Sequence, residues 1–446
     1  MPVIIRTRSV LTGNHQGDIL SDHAIVVDGN RISRIVPDSD IRNADPGASV
    51  DARHCIAIPG FIQTHVHLCQ TLFRGLADDL ELLDWLQKRI FPLEAAHTAC
   101  SMHASSQIGI AELIRSGTTT ILDMGSINHE EEIIRAIAES GMRAFVGKAM
   151  MDANTLYPAL REDTRESIRS TRDLAERWHG SYEDRIRYAV APRFVLSCTD
   201  GLMKEAHEIM RSLPGALFHT HASENVHELE EVRKRCNLDN IEFLHHLGLL
   251  SERACLAHCI HVSPAEIGIL ESTKANVAHC PSSNLKLASG IANIPGFIDR
   301  GVNVSIGADG APCNNSLDMF HEMRLAAVVQ KPRHGPRAMS ARTVFGMATR
   351  GGARSLGLED QIGSLEPGKK ADLVLLDLNR VWNPLREDED PFASIVYTAG
   401  PENVDSVMID GKWVLRNREL TTIDEERILA GARGELKQLL SRTHGF

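Results

Sequence analysis

From residue 59 to about residue 355, short apolar runs alternate with longer stretches whose apolar positions recur every three or four residues. The runs at 118–123, 143–148, 187–191, 217–221, 254–257, 276–279 and 302–306 read as buried strands. The stretches 101–115, 130–140, 164–178 and 223–235 read as amphipathic helices. Strand–helix alternation at this count predicts an α/β fold, a (β/α)8 barrel of the TIM type rather than a doubly wound sheet. No Gly-x-Gly-x-x-Gly or Walker loop opens a helix, which removes the usual reason to prefer a nucleotide-binding sheet.

The two ends carry a different rhythm. Residues 19–27 and 31–36 alternate apolar and polar on either side of Gly29 and Asn30, a turn signal. Residues 371–377 form another apolar run, and 404–409 and 412–415 flank the turn pair Asp410 and Gly411. Two β segments bracketing the long middle predict one small β-sandwich domain built from 1–58 and 356–446, around a catalytic barrel at 59–355.

Composition narrows the field. The chain has 446 residues, 43% hydrophobic and 24% charged, as in an ordinary globular protein. A formal net charge of -11 argues against nucleic acid or an anionic membrane as the main partner. No apolar run reaches membrane-spanning length, and the first residues lack a secretory signal pattern. The nine cysteines are odd in number, scattered and free of any Cys-x-x-Cys pair, so reduced thiols and a cytoplasmic location are expected.

The chemistry concentrates where strands end. Pro59-Gly60-Phe61-Ile62 leads into His65-Val66-His67, and alternate residues of a strand share a face, so both imidazoles can grip one ion. The strand at 217–221 holds His219 and His221 and is followed by Glu224. His258 closes the strand at 254–257, and Asp309 follows the strand at 302–306. In a barrel of this kind the active groups sit at the carboxyl ends of the strands. Three histidines and one carboxylate can hold a divalent ion while leaving room for water. His221 lies nearer the strand end and is favoured as the ligand, with His219 one layer lower in a supporting place. His258 is open to two readings, as a ligand or as a hydrogen-bonding partner of the attacking water. His97, His103, His207, His227, His245 and His246 fall in helical stretches and suit packing or surface roles.

These residues resemble the amidohydrolase superfamily, in its branch of mononuclear-metal aminohydrolases. That branch includes guanine deaminase, the adenosyl-homocysteine, methylthioadenosine and 5′-deoxyadenosine deaminases, and the triazine hydrolases. The resemblance rests on the His65 and His67 motif, Gly117-Thr118-Thr119-Thr120, His221-Ala222-Ser223-Glu224, Leu256-Ala257-His258-Cys259, Cys280-Pro281-Ser282-Ser283-Asn284, Gly307-Ala308-Asp309-Gly310 and Ala371-Asp372-Leu373-Val374. It implies that His65, His67, His221 and Asp309 bind one zinc, or iron in some relatives. It implies further that Glu224 carries a proton to a ring nitrogen, His258 steadies the attacking hydroxide and Asp309 accepts its proton. The activity implied is replacement of an exocyclic amine by a keto oxygen, with release of ammonia. A triazine-type amino- or chlorohydrolase is the alternative, and an inactive scaffold relative a third.

The resemblance also points to the substrate contacts Gln70, Glu94, Lys148, Arg193 and Asn284. Gln70 and Arg193 match the residues that hold the purine in guanine deaminases, whereas Glu94 matches the carboxylate that meets ribose hydroxyls in adenosyl-type enzymes. Lys148 stands where the adenosyl-type enzymes have Arg, and Arg193 where they have His. A purine base and a small 5′-deoxynucleoside both stay open. A homo-oligomer is expected by the same resemblance.

Overall fold

The computed structural model describes residues 1–41, 48–382 and 390–443. Eight parallel strands close into a barrel, numbered here β1 (Phe61–His67), β2 (Thr118–Asp123), β3 (Arg143–Val146), β4 (Ile186–Pro192), β5 (Leu217–Ala222), β6 (Ala254–His258), β7 (Asn276–His279) and β8 (Val304–Ile306). Each pairs with the next, and β8 returns to β1 through the partners Ile306 and Gln63. These strands are covered on both faces, which is why they appear in the sequence as unbroken apolar runs.

Several expected bounds coincide with the observed ones, including β2, β7 and the helices Glu130–Ser140 and Thr164–Trp178. The run at 143–148 ends early, at Val146, and that at 302–306 begins late, at Val304. The helix expected from 223 starts at Val226. Ser223 adopts a left-handed φ of 54°, and Asn225 caps the helix in a reciprocal box with Glu228.

The chain ends form a nine-stranded sheet. The strand Val3–Leu11 lies parallel to Ala48–Pro59, which runs antiparallel to Leu373–Leu376. Its first and last hairpins meet closely, since a Cβ on Gly411 would stand 2.3 Å from the carbonyl oxygen of Gly29. Ile25, Ile5, Ala57, Leu373 and Met408 share one apolar cluster, so strands from both ends enclose a common core. The helix Glu425–Arg442 lies within the stretch expected as small domain, but it packs on the barrel helix Ala99–Arg115. Arg115 Nε donates to Glu425 at 3.0 Å and Arg442 Nε donates to the Ala96 carbonyl at 2.8 Å. Its apolar positions Ile428, Ala432, Leu436 and Leu439 recur at helical spacing and form the face that packs there. The expected domain also takes in 42–47, 383–389 and 444–446, which lie outside the described residues.

Sheet and barrel are joined by a buried charge cluster. Arg143, opening β3, places its fork on Asp372 at 2.8 and 3.1 Å and reaches Asp410 at 3.3 Å. Lys370 meets Asp410 at 2.9 Å, and the Asp410 amide donates to Asp372 at 2.7 Å. Replacing Arg143 by Met leaves buried Asp372 without a cationic partner and Asp410 with Lys370 alone, which costs about 3–5 kcal/mol. Urea unfolding measures this, and a loss below about 1 kcal/mol would contradict the joint. Burial pushes the Asp410 carboxyl up, but Lys370 and Arg143 more than offset it and hold it below its ordinary value. The folded value is therefore the depressed one. The difference between wild type and Arg143→Met is then complete above about pH 4 and shrinks as pH falls further.

Candidate metal centre and active site

The carboxyl end of β1 presents His65 and His67, both buried, on one side of the strand. A two-residue bridge sets the chain after β8 alongside, pairing Asp309 with Val66 and Gly310 with His67. Asp309 Oδ1 thus stands 3.3 Å from His65 Nε2 and 3.4 Å from His67 Nε2. From β5, His221 Nε2 lies 3.3 Å from His67 Nε2. The donor atoms of His65, His221, His258 and Asp309 all fall within 4.8 Å of one another.

Partners behind the rings assign their protons. His219 Nδ1 faces the Cys255 carbonyl at 2.8 Å and must donate to it, leaving Nε2 as an acceptor. His65 Nδ1, 2.9 Å away, donates to that acceptor, so His65 Nε2 carries a bare lone pair. His221 Nδ1 donates to the Arg193 carbonyl at 2.7 Å, and His258 Nδ1 donates to Asn284 Oδ1 at 2.8 Å. Burial lowers the pKa of His65, His67, His219 and His221, keeping them neutral.

His65 Nε2 therefore presents a lone pair to an Asp309 carboxylate oxygen at 3.3 Å with no hydrogen between them, and His67 Nε2 lies 3.3–3.4 Å from His221 Nε2 and that same oxygen. His65 Nε2 and His258 Nε2 are buried and without a hydrogen-bond partner. Such a set repels itself unless a cation sits among its members. Bonds of about 2.0–2.1 Å to one zinc-like ion separate ligand atoms by roughly 3.4 Å, and the observed spacing fits.

Glu224 stands beside this centre, its Oε2 3.5 Å from His258 Nε2. His258 Nε2 is also 3.8 Å from Asp309 Oδ2. Burial, followed by the nearby charges of Asp309 and Glu228, raises the Glu224 pKa well above the usual carboxylate range. Glu228 accepts the Glu224 amide at 2.8 Å and so fixes its backbone. In the sequence Glu228 is marked only by Asn225-x-x-Glu228, a capping-box signature. Ser223, His258, Cys259 and Asp309 all adopt positive φ, between 47° and 72°. Such strain costs on the order of 1–3 kcal/mol per residue and gathers at working sites.

A cavity opens over the centre. Gln70, Arg193, Glu224 and Glu228 supply polar walls; Leu82, Trp85, Leu86 and Phe194 supply an apolar roof. The roof belongs to a helical segment, Leu82–Trp85, Leu86–Ile90 and Phe91–Ala95, whose short apolar clusters do not mark it as part of the site.

The expected substrate contacts divide. Gln70 and Arg193 line the cavity. Glu94 lies behind them, gripped by Arg193 at 2.6 and 3.0 Å and by Gln70 Nε2 at 2.8 Å. Asn284 is buried against His258 rather than along the cavity wall. Lys148 is directed elsewhere, ion-paired with Glu162 and donating to the Ala149 carbonyl at 3.1 Å. Of the histidines expected in helices, His97 instead lies between the helices Phe91–Ala95 and Ala99–Arg115, packed between Ser101 Oγ and the Cys69 carbonyl. No disulfide is formed by the nine cysteines.

Residues 56–414 match the Amidohydrolase family, and the chain belongs to that family. It is 37% identical to a 5-methylthioadenosine/S-adenosylhomocysteine deaminase of Syntrophomonas wolfei, over 88% of this chain and 89% of that one. It is 36% identical to a 5′-deoxyadenosine deaminase of Methanothermobacter thermautotrophicus, over 93% and 94%. Among solved structures, an adenosine deaminase from Xanthomonas campestris with bound zinc superposes with a TM-score of 0.91. That match is 31% identical and covers 98% of each chain.

Two expectations follow from the ring partners. His219→Leu, which removes the acceptor behind His65, lowers affinity for zinc about 10–100-fold. His219→Gln, able to donate and accept, retains most of it. Competition titration against a chromophoric chelator measures both, and equal affinity for wild type and the Leu variant would discard the relay. His67→Ala empties the centre, as elemental analysis checks; full metal content would remove His67 from the ligand set.

Proposed function

We propose that the chain is a metal-dependent hydrolytic deaminase of purine-type nucleosides, acting on a C–N bond of a cyclic amidine. The observation that carries this reading is a buried Glu224, its pKa raised by burial, set beside a converging group of His and Asp donors under an apolar roof. We assign zinc to His65, His67, His221 and Asp309, a nitrogen and oxygen set suited to it. Bound there, the ion supplies acidity, bringing the pKa of a coordinated water toward roughly 7.

The side chains do the remaining work. His258 Nε2 and Asp309 Oδ2 are two acceptors that take hydrogen bonds from the attacking water, turning its oxygen toward the ring carbon. Glu224 gives its proton to the neighbouring ring nitrogen as the C–O bond forms, and Asp309 takes the water's proton. The amine takes up the proton held by Asp309 and leaves as ammonia as the C–N bond breaks, while the added hydroxyl returns its proton to Glu224 and remains on the ring carbon as a keto oxygen. The apolar roof keeps bulk water from these transfers.

The identities of the relatives favour a 5′-deoxyadenosine-type nucleoside. One observation favours a second reading. Both oxygens of Glu94 are occupied by Arg193 and Gln70, while Gln70 Oε1 is buried without a partner. That wall offers donors from Arg193 and an acceptor from Gln70, which suits the N–H and carbonyl edge of a guanine-type base. Ribose recognition by Glu94 would require the ion pair to open.

Ammonia release from 5′-deoxyadenosine, methylthioadenosine, guanine and isocytosine tests both readings. Turnover of the nucleosides alone supports the first, turnover of the bases alone supports the second, and silence on all four overturns the proposal. Glu224→Gln lowers kcat by about 10²–10⁴-fold with metal content unchanged. Arg193→Met raises KM or changes the preferred substrate without changing metal content; an unaltered profile would place Arg193 outside substrate recognition.

A further inference from the structure

Among the described residues, two groups of three or more His, Cys, Asp or Glu side chains bring their donor atoms within 4.8 Å of one another. One is the barrel centre. The other lies in the terminal sheet and consists of His54, Cys55 and Asp405. We propose that this second group is a binding site for a zinc-type divalent cation, which clips the N-terminal part of the sheet to its C-terminal part.

Adjacent residues of a regular strand face opposite sides, so His54 and Cys55 should not share a ligand. The strand Ala48–Pro59 is irregular at this point. Between the pairs Thr7–Ala52 and Ser9–Ile56 it holds three residues against one on its neighbour. Such a bulge breaks the alternation and re-aims side chains, and the two donors converge. Asp405 arrives from Val404–Ile409, beyond the intervening strand Leu373–Leu376.

Asp405 is held in a presenting pose. The Asn417 amide donates to Ser406 Oγ at 3.1 Å, and Ser406 Oγ donates to Asp405 Oδ1 at 2.8 Å. The other oxygen, Oδ2, is left 3.9 Å from His54 Nε2. Ligating carboxylates are commonly fixed through one oxygen in this way. Donor atoms sharing a zinc ion stand about 3.3–3.8 Å apart, and His54 is exposed enough to turn through the remaining gap. Of the two cations near Cys55, Arg380 and Arg418, Arg380 is already paired with Asp377 at 2.5 Å. Burial, with Asp405 and Asp377 close by, keeps the Cys55 thiol protonated, and metal binding displaces that proton. Thiol, imidazole and carboxylate together select zinc or cobalt over magnesium or calcium.

Cobalt(II) separates this site from the barrel. A cysteine ligand gives a thiolate-to-cobalt charge-transfer band in the near ultraviolet, and the barrel ligands include no cysteine. Metal-free full-length protein titrated with cobalt(II) alone is expected to bind a second ion per chain with growth of that band. Cys55→Ala abolishes the band, and His54→Ala weakens the binding it reports by roughly ten-fold. In both variants the visible absorption of the barrel centre is unchanged. His54 is exposed, so its variant keeps the test decisive even where Cys55→Ala fails to fold. Absence of the band in wild type, or a band undiminished in both variants, overturns the proposal.

Discussion

The site depends on one unfavourable convergence: neutral imidazole lone pairs and a carboxylate, aimed at one point a few ångströms from each other. Among the described residues His65 Nε2 and His258 Nε2 find no hydrogen-bond partner, and the ring atoms behind His65, His221 and His258 are already committed to His219, the Arg193 carbonyl and Asn284. A cation turns this repulsion into coordination. The fold must hold the donors still before the ion arrives, because flexible donors would relax apart. Burial serves that end twice, by keeping the imidazoles neutral and by locking their outer nitrogens to fixed partners.

The barrel supplies the necessary stiffness. Its strands are hydrogen-bonded in a closed ring, so the ends of β1, β5 and β6 and the bridge after β8 stand at fixed distances. Left-handed backbone at Ser223, His258, Cys259 and Asp309 is tolerated because the ring around them over-determines their positions. The terminal sheet is fastened to the opposite side of the architecture through Arg143, Asp372 and Asp410. The chain's two ends therefore brace the start of β3 while the chemistry sits at the other ends of the strands.

Arg193 joins the cavity wall to the imidazole cluster. Its carbonyl sets the tautomer of His221, and its guanidinium forms part of the cavity wall. A rearrangement of the wall at Glu94 and Arg193 would be felt through this one residue at the ligand ring. A buried bidentate pair of this kind is costly to break, so it acts as a constraint on which molecules enter.

The barrel was legible along the chain because doubly buried parallel strands need unbroken apolar runs and their helices a steady period. The His65 and His67 pair was legible because strand geometry alone puts both on one side. Those features are local, and local sequence carries them. The folding of Leu82–Leu86 over the cavity, the docking of the helix Glu425–Arg442 on the barrel and the turning of Lys148 away from the cavity were not legible. Each follows from contacts between residues far apart in sequence: Lys148 with Glu162, Glu94 with Arg193, Arg442 with Ala96. Residue order thus determined the fold class and the chemical types gathered at the strand ends. Only the closed barrel decided which nitrogen of each histidine faces the ion and which charges neutralise each other, because those outcomes depend on distances that no local pattern encodes.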